Sequence, residues 1–319
     1  MFKHILVPLD GSALAEAALA PAVCMARVLR AKVTLLHIIE RDAPATVHGE
    51  RHLKKTVDAE AYLEEIARRS FPSETTLDRH VHTAETRDVA KGIVEHQGEL
   101  APDLIVMCTH GRHGVRWMVL GSIAQKVIAS GRTPVLLIQP EPSAAPRGFD
   151  CRLLLVPVDG DPVHEHGLDI AVGLAVAAGS EVRLLSVVPT PSKLSGRLAA
   201  TERFMPAATR AALGMTVENL KSYQRRQASE IEKRGVAVSG EVKSGDTASV
   251  IAQTAESCGA SMVVIGTHGR RGGEAFWTHS VGAKVQAKTT RPLLLVPVRG
   301  DTVSSRAAGG RSDGDIANP

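Results

Sequence analysis

Ile5-Leu6-Val7-Pro8-Leu9-Asp10-Gly11 returns 149 residues later as Leu154-Leu155-Val156-Pro157-Val158-Asp159-Gly160, and Leu35-Leu36 returns at the same offset as Leu184-Leu185. Thr109-His110-Gly111-Arg112, Lys126-Val127 and Pro134-Val135-Leu136-Leu137 return as Thr267-His268-Gly269-Arg270, Lys284-Val285 and Pro292-Leu293-Leu294-Leu295, now 158 residues on. The chain is therefore a tandem repeat, and the second copy carries nine extra residues between Leu185 and Thr267, expected in the Pro- and Gly-punctuated stretch from Pro189 to Gly214. Three prolines and no periodicity between Gln139 and Gly148 mark a linker. The expected organisation is a first domain over 1–140, a linker over 141–150, a second domain over 151–298 and a disordered Gly-, Ser- and Asp-rich tail over 299–319.

Within each copy, short β-branched and leucine-rich runs alternate with longer segments of helical period, the pattern of a parallel sheet covered by helices. In the first copy strands are expected near 4–9, 32–39, 75–82, 104–109 and 135–138. The first helix is expected over 12–30 with a kink at Pro21, and Leu53, Val57, Ala61 and Ile66 are expected to line one helical face.

Composition narrows the function. At 319 residues the chain has room for two ordinary domains, with 44% hydrophobic and 23% charged residues. A formal charge of +4 and 3% aromatics give neither a strong phosphate-backbone footprint nor a base-stacking platform, which argues against nucleic acid as a partner. No apolar run approaches the ~18 residues of a membrane span, and the N-terminal stretch lacks the layout of an export or transit peptide. Cys24, Cys108, Cys151 and Cys258 have no paired spacing, which fits reduced packing thiols and a cytoplasmic location.

The segment from Met107 to Gly114, followed by Gly121-Ser122 and a helix, is a strand, a glycine loop and a helix N-terminus. Such an arrangement turns unpaired backbone N–H groups and the positive end of a helix dipole toward an anion. The same residues also suit a plain βα turn with Ser122 as N-cap. Neither GxxxxGK[ST] nor, in this segment, GxGxxG is present. His80 and His82 alternate on one face of an expected strand but have no adjacent carboxylate or cysteine to complete a metal set. Cys108, His110 and His113 are nearer to a ligand set, yet the second copy offers only Gly266, His268 and Arg271 there. No nucleophile, base and orienter stand at a familiar spacing, so no enzyme is expected.

Two VPxDG openings, two THGR stretches and a closing strand after proline resemble the universal stress protein family over nearly the whole chain. The resemblance implies two doubly wound α/β domains, each an open five-stranded parallel sheet with helices on both faces. It also implies a stress-response regulatory role, an adenine nucleotide (ATP) as ligand, and pairing of the halves as an intramolecular pseudo-dimer that acts through a regulatory protein partner. Further homodimerisation is left open. In the family a Gly-x2-Gly-x9-Gly-Ser/Thr pattern accompanies ATP binding. The first copy offers Cys108, Gly111, Gly121 and Ser122, with Gly114 between them, and departs at the first glycine; the second offers Gly266, Gly269 and Ser280, with His279 in place of the third glycine. Nucleotide is therefore expected chiefly in the first copy. The resemblance further places Asp10 and Asp159 at the adenosine, and backbone groups near Ile38 and Val187 at the adenine. Each aspartate equally suits a turn or helix cap, and for the two apolar residues core packing is the default. The rival reading is an interaction or scaffold protein of the same fold that binds no nucleotide.

Overall fold

A computed structural model of the protein describes residues 1–109, 121–130, 132–140, 148–161, 165–191, 204–268 and 280–298. The first half runs β1 (His4–Pro8), α1 (Ala13–Glu16), α2 (Leu19–Leu29), β2 (Lys32–Glu40), a short hairpin β3 (Thr46–Val47) and β4 (Glu50–Arg51), α3 (Thr56–Ser70), β5 (Leu77–Thr86), α4 (Val89–Leu100), β6 (Leu104–Cys108), α5 (Ser122–Ser130) and β7 (Val135–Ile138). The second runs β8 (Leu153–Pro157), α6 (Glu165–Ala178), β9 (Glu181–Val188), α7 (Pro206–Glu232), β10 (Val238–Ser244), α8 (Thr247–Ser257), β11 (Met262–His268), α9 (Val281–Gln286) and β12 (Leu293–Val298).

Two separate five-stranded sheets were the expectation; the structure has one continuous ten-stranded sheet in the order β10-β9-β8-β11-β12-β7-β6-β1-β2-β5. Within each half neighbouring strands are parallel, whereas β12 and β7 pair antiparallel, with Leu293 opposite Leu137, Leu294 opposite Leu136 and Leu295 opposite Val135. The physical reason lies in the two edges. Val135–Ile138 and residues 293–296 are buried apolar strands whose outer N–H and C=O groups would otherwise be unpaired, and like halves related by a two-fold axis meet with their edge strands running in opposite directions. The Gln139 side-chain amide adds a bond across the joint, donating to the Gln286 carbonyl at 2.6 Å.

Alternation along the strands divides the core between the two faces. Val7, Leu35, Leu104, Val106 and Cys108 join one cluster with α2, α3 and α6; Leu6, Leu36, Ile105 and Met107 join the other with α4, α5 and α8. Both clusters run through both halves.

Two helical expectations are corrected. The kinked helix over 12–30 is two helices, α1 and α2, with Pro21 in the first turn of the second. Proline has no N–H to donate and its ring collides with the carbonyl four residues back, so the helix restarts where the first-turn N–H groups have no intrahelical partner anyway. The inward face of α3 is Ala59, Leu63, Ile66 and Ala67, while Val57 is 73% exposed and Leu53 precedes the helix. Of the expected face only Ile66 is buried; Ala61 is exposed with Val57. In the second half α7 begins at Pro206, inside the stretch expected to hold the extra residues, and is 27 residues long against 15 for α3.

Candidate functional site

In each half the first strand lies between the second and the fourth, as β2-β1-β6 and as β9-β8-β11. Chain winding reverses there, and in an open α/β sheet that reversal opens a crevice beyond the carboxyl ends of the strands. Asp10 follows β1 and Asp159 follows β8. Gly111, Gly114, Gly269 and His279 lie outside the described residues, as do His110, His113 and Arg271.

Asp10 shapes the turn. Its Oδ1 accepts from the Ser12 N–H at 2.9 Å and the Ser12 hydroxyl at 2.6 Å, and the Ser12 oxygen in turn caps α1 by accepting from the Ala15 N–H at 3.2 Å. Gly11 between them has φ +87°, and an added Cβ would come within 2.8 Å of Leu53, so that turn needs glycine. The other Asp10 oxygen is 3.8 Å from His48 Nε2 on the β3–β4 hairpin, and the Glu50 carboxylate accepts the Ala13 N–H at 3.0 Å. The hairpin thus brings an imidazole and a carboxylate over the carboxyl end of β1. Asp159 Oδ1 likewise accepts from the Asp161 N–H at 3.0 Å, so the turn role is met in both copies.

Cys108, which stands where the family's pattern has its first glycine, turns into the core. It is 2% exposed in the cluster beneath α2, and its thiol donates to the Ala15 carbonyl at 3.6 Å. Alternation along β6 sends 104, 106 and 108 to that face, and burial together with the nearby Asp10 charge pushes the thiol pKa well up. Gly266, its counterpart, lies against Gly167 of α6, where a Cβ would stand 2.8 Å from the Gly266 nitrogen. One copy fills the helix–strand contact with a thiol, and the other closes it backbone to backbone.

Gly121 is half-buried and Ser122 is exposed at the first turn of α5. Ser280 is the N-cap of α9 and accepts from the Ala283 N–H at 3.1 Å. The Ile38 side chain is core, with α4 approaching so closely that a Cβ on Gly92 would meet it at 2.9 Å, and Val187 packs against the same cluster. The pairing of β2 with β5 shifts register between Ile38 and Glu40.

Several repeated contacts escaped the sequence reading. His37 Nδ1 lies 2.8 Å from the Leu9 carbonyl, and at the matching place the Ser186 hydroxyl donates to the Val158 carbonyl at 2.8 Å. Both tyrosines of the chain serve the same purpose: Tyr62 donates to Glu16 at 3.3 Å and Tyr223 to Glu165 at 3.2 Å. Burial, then the carboxylate, raises both phenol pKa values. Glu16 and Glu165 are 149 residues apart, so the repeat offset could have revealed them. The threonines of the repeated THGR stretch are structural, since Thr109 bonds the Ile138 carbonyl and Thr267 the Val296 carbonyl. His80 meets His96 of α4, Nε2 to Nε2 at 2.8 Å, and the His82 ring packs edge-on to His96. Among the described residues no three His, Cys, Asp or Glu side chains are placed to hold a metal ion. No described helix is long and apolar enough to cross a membrane.

The profile of the universal stress protein family matches residues 1–139 and 152–297. Universal stress protein YxiE of Bacillus subtilis is 31% identical over 150 residues, covering 44% of this chain and all of the relative. A universal stress protein of Mycolicibacterium smegmatis is 26% identical over 306 residues, 92% of this chain and 97% of its own. Among solved structures, a universal stress protein from Archaeoglobus fulgidus superposes with a TM-score of 0.66 at 16% identity, covering 93% of this chain and 97% of that one. A putative universal stress protein from Pseudomonas aeruginosa gives 0.65 at 18% identity, covering 93% of each chain.

Proposed function

The chain belongs to the universal stress protein family as two tandem domains, and from that premise we propose that it is a stress-response regulator that binds an adenine nucleotide, ATP, chiefly in its first half. The observation that carries the reading is the difference between the two βα turns. In the first half Gly121 leads into the nine-residue α5 with Ser122 exposed; in the second the Ser280 hydroxyl caps the six-residue α9. A phosphate at the first turn of α5 would meet backbone N–H groups and a hydroxyl, with Gly111 and Gly114 approaching from the loop and backbone near Ile38 taking the adenine. Asp159, Val187, Gly266, Gly269 and Ser280 are the counterparts that would make the weaker site. Because Cys108 points into the core, its departure from the family's glycine pattern leaves the crevice side of β6 unaltered.

Binding alone would be the signal, with the protein's surface responding to the bound state and a regulatory protein reading it. The sequence offers no nucleophile, base and orienter at a familiar spacing, so ATP turnover is expected far below the ~1–10³ s⁻¹ of ordinary enzymes. Mass spectrometry of the purified, undialysed protein under native conditions tests the reading. A co-purified adenine nucleotide supports it. The apo mass alone, followed by calorimetric titration with ATP that gives no heat, favours the interaction protein that binds no nucleotide, for which the Glu50 and His48 side chains over β1 and the capping role of Ser280 already speak.

A further inference from the structure

His37 of β2 is 1% exposed, and both of its ring nitrogens meet backbone carbonyls: Nδ1 stands 2.8 Å from the Leu9 oxygen and Nε2 3.3 Å from the Leu53 oxygen. A neutral imidazole has one N–H and one bare nitrogen, and a carbonyl oxygen can only accept. One of the two contacts would then set lone pair against lone pair away from water. The imidazolium donates to both. Leu9 directly follows β1, and Leu53 closes the β3–β4 excursion, so the ring is a strut between the sheet and the segment lying over it. Leu53 is also the side chain that a Cβ on Gly11 would strike, which places that segment on the β1 turn.

The second half builds the same strut without a titratable group. Ser186 stands 149 residues after His37, and its hydroxyl donates to the Val158 carbonyl at 2.8 Å and accepts from the Gln224 side-chain amide of α7 at 2.9 Å. Around His37, the described charged and titratable groups are Asp10 of the β1 turn, Glu40 at the end of β2, His48 and Glu50 of the hairpin, His52 and Lys54 after it, and Tyr62 of α3 with Glu16 of α1. On the β5 side Val81 pairs with it.

We propose that His37 is a proton-operated latch on the β3–β4 segment: as the imidazolium it ties Leu53 to Leu9 and holds the segment over the carboxyl end of β1, and on losing a proton it keeps Leu9 and releases Leu53. Once released, the Leu53 carbonyl bonds water and asks nothing of the ring, so the proton favours closure. Closure is therefore complete in acid and is lost as the pH rises through the imidazole range. His52 acts on the other side of that range: burial holds its pKa below 6.5, so it opposes closure only under about pH 6.5. A His48 imidazolium beside Asp10 would act in the same sense as His37, and the test separates the two. The latch does not depend on the nucleotide reading.

Hydrogen exchange of the full-length chain, read by mass spectrometry on peptides and corrected for the intrinsic rate, compares about pH 6.5 with about pH 8.5. Protection over residues 45–53 should fall about ten- to a hundredfold at the higher pH, the loss that one hydrogen bond to a charged group implies, while α7 around Gln224 stays unchanged. His37→Ser, which copies the second half, should be poorly protected at both pH values; His48→Gln and His52→Gln should keep the fall. Nitrogen-15 spectra of the unsubstituted protein give a second reading that needs no variant to fold. One histidine should show two ring N–H protons sheltered from solvent exchange at the lower pH and one at the higher, in step with the loss of protection. Protection that does not change with pH, a fall that survives in His37→Ser, or no histidine with two sheltered ring protons would overturn the proposal.

Discussion

Leu136 and Leu294 stand directly opposite each other where β7 and β12 run antiparallel, both fully buried in the cluster beneath α2 and α6. This pair marks where two parallel half-sheets become one. Cutting the chain in its proline-rich stretch near Pro142 should leave halves that still associate, since the edge pairing and the apolar faces beside it survive the cut. The intact tether supplies only local concentration, of about millimolar order for a short linker. Size-exclusion chromatography at micromolar concentration reads the result, and halves that elute separately count against the edge pairing as the chief bond between them. Leu294→Asp, which buries a charge in that joint, should separate the cut halves.

The two serines should answer differently to ATP. Losing a hydrogen bond to a charged group costs roughly 1.5–3 kcal/mol, so Ser122→Ala should weaken affinity about ten- to a hundredfold. Ser280→Ala should leave affinity nearly unchanged and instead destabilise the second half by about 1 kcal/mol, because its hydroxyl caps α9. Gly121→His, which copies the second half, should be at least as damaging as Ser122→Ala, and His279→Gly is the complementary change. Calorimetric titration of the four variants decides; equal losses from both serine variants, or none from either, would falsify the asymmetry.

Acid should loosen the β5–α4 edge. His96 is 1% exposed, and burial, then its neighbour His80, holds its pKa below the usual 6.5; His82 acts the same way, while Glu99 opposes it. The unfolded chain therefore binds a proton at a pH where the folded one resists it. Stability from this group is complete above about pH 6.5 and falls as the pH drops toward the folded value, at up to ~1.4 kcal/mol per pH unit. Urea denaturation between pH 7 and pH 5 should show a shallower fall in His96→Leu than in the unsubstituted protein. Identical slopes would remove His96 from the account.

Glycine replacements should split by sign. Gly167→Ala drives a methyl to 2.8 Å from the Gly266 backbone nitrogen, which cannot move without breaking the α6–β11 contact, and should cost about 1–3 kcal/mol. Gly214→Ala, on the exposed face of α7 with nothing within 4 Å, should stabilise by about 0.5–1 kcal/mol. Thermal unfolding of each variant checks both, and a stabilising Gly167→Ala would mean that the helix and strand are not in backbone contact.

The strands were legible because their signal is local. A buried parallel strand must be continuously apolar, and β1, β2, β6 and β7 follow the expected runs closely. β5 continues to Thr86, beyond the expected end at 82, because an edge strand with Asp78, Arg79, His80 and His82 carries no such apolar signal. Asp10, Gly11 and Ser12 likewise form the expected turn from nearest neighbours alone.

What the sequence by itself determined is the repeat, its two α/β halves and the turn chemistry after each first strand, all set by residues within a few positions of one another. Only the tertiary structure decided the antiparallel joint of β7 with β12, the direction of the Cys108 side chain and the meeting of Cys151 with Met25. The joint depends on two edges more than 150 residues apart closing one another's open hydrogen bonds. The thiol of Cys108 points where the pleat of β6 sends it, which depends on the strand's register in the sheet. Cys151 reaches Met25 only once the joint has set α2 beside the start of β8, because no spacing in the chain encodes a contact between surfaces of the two halves.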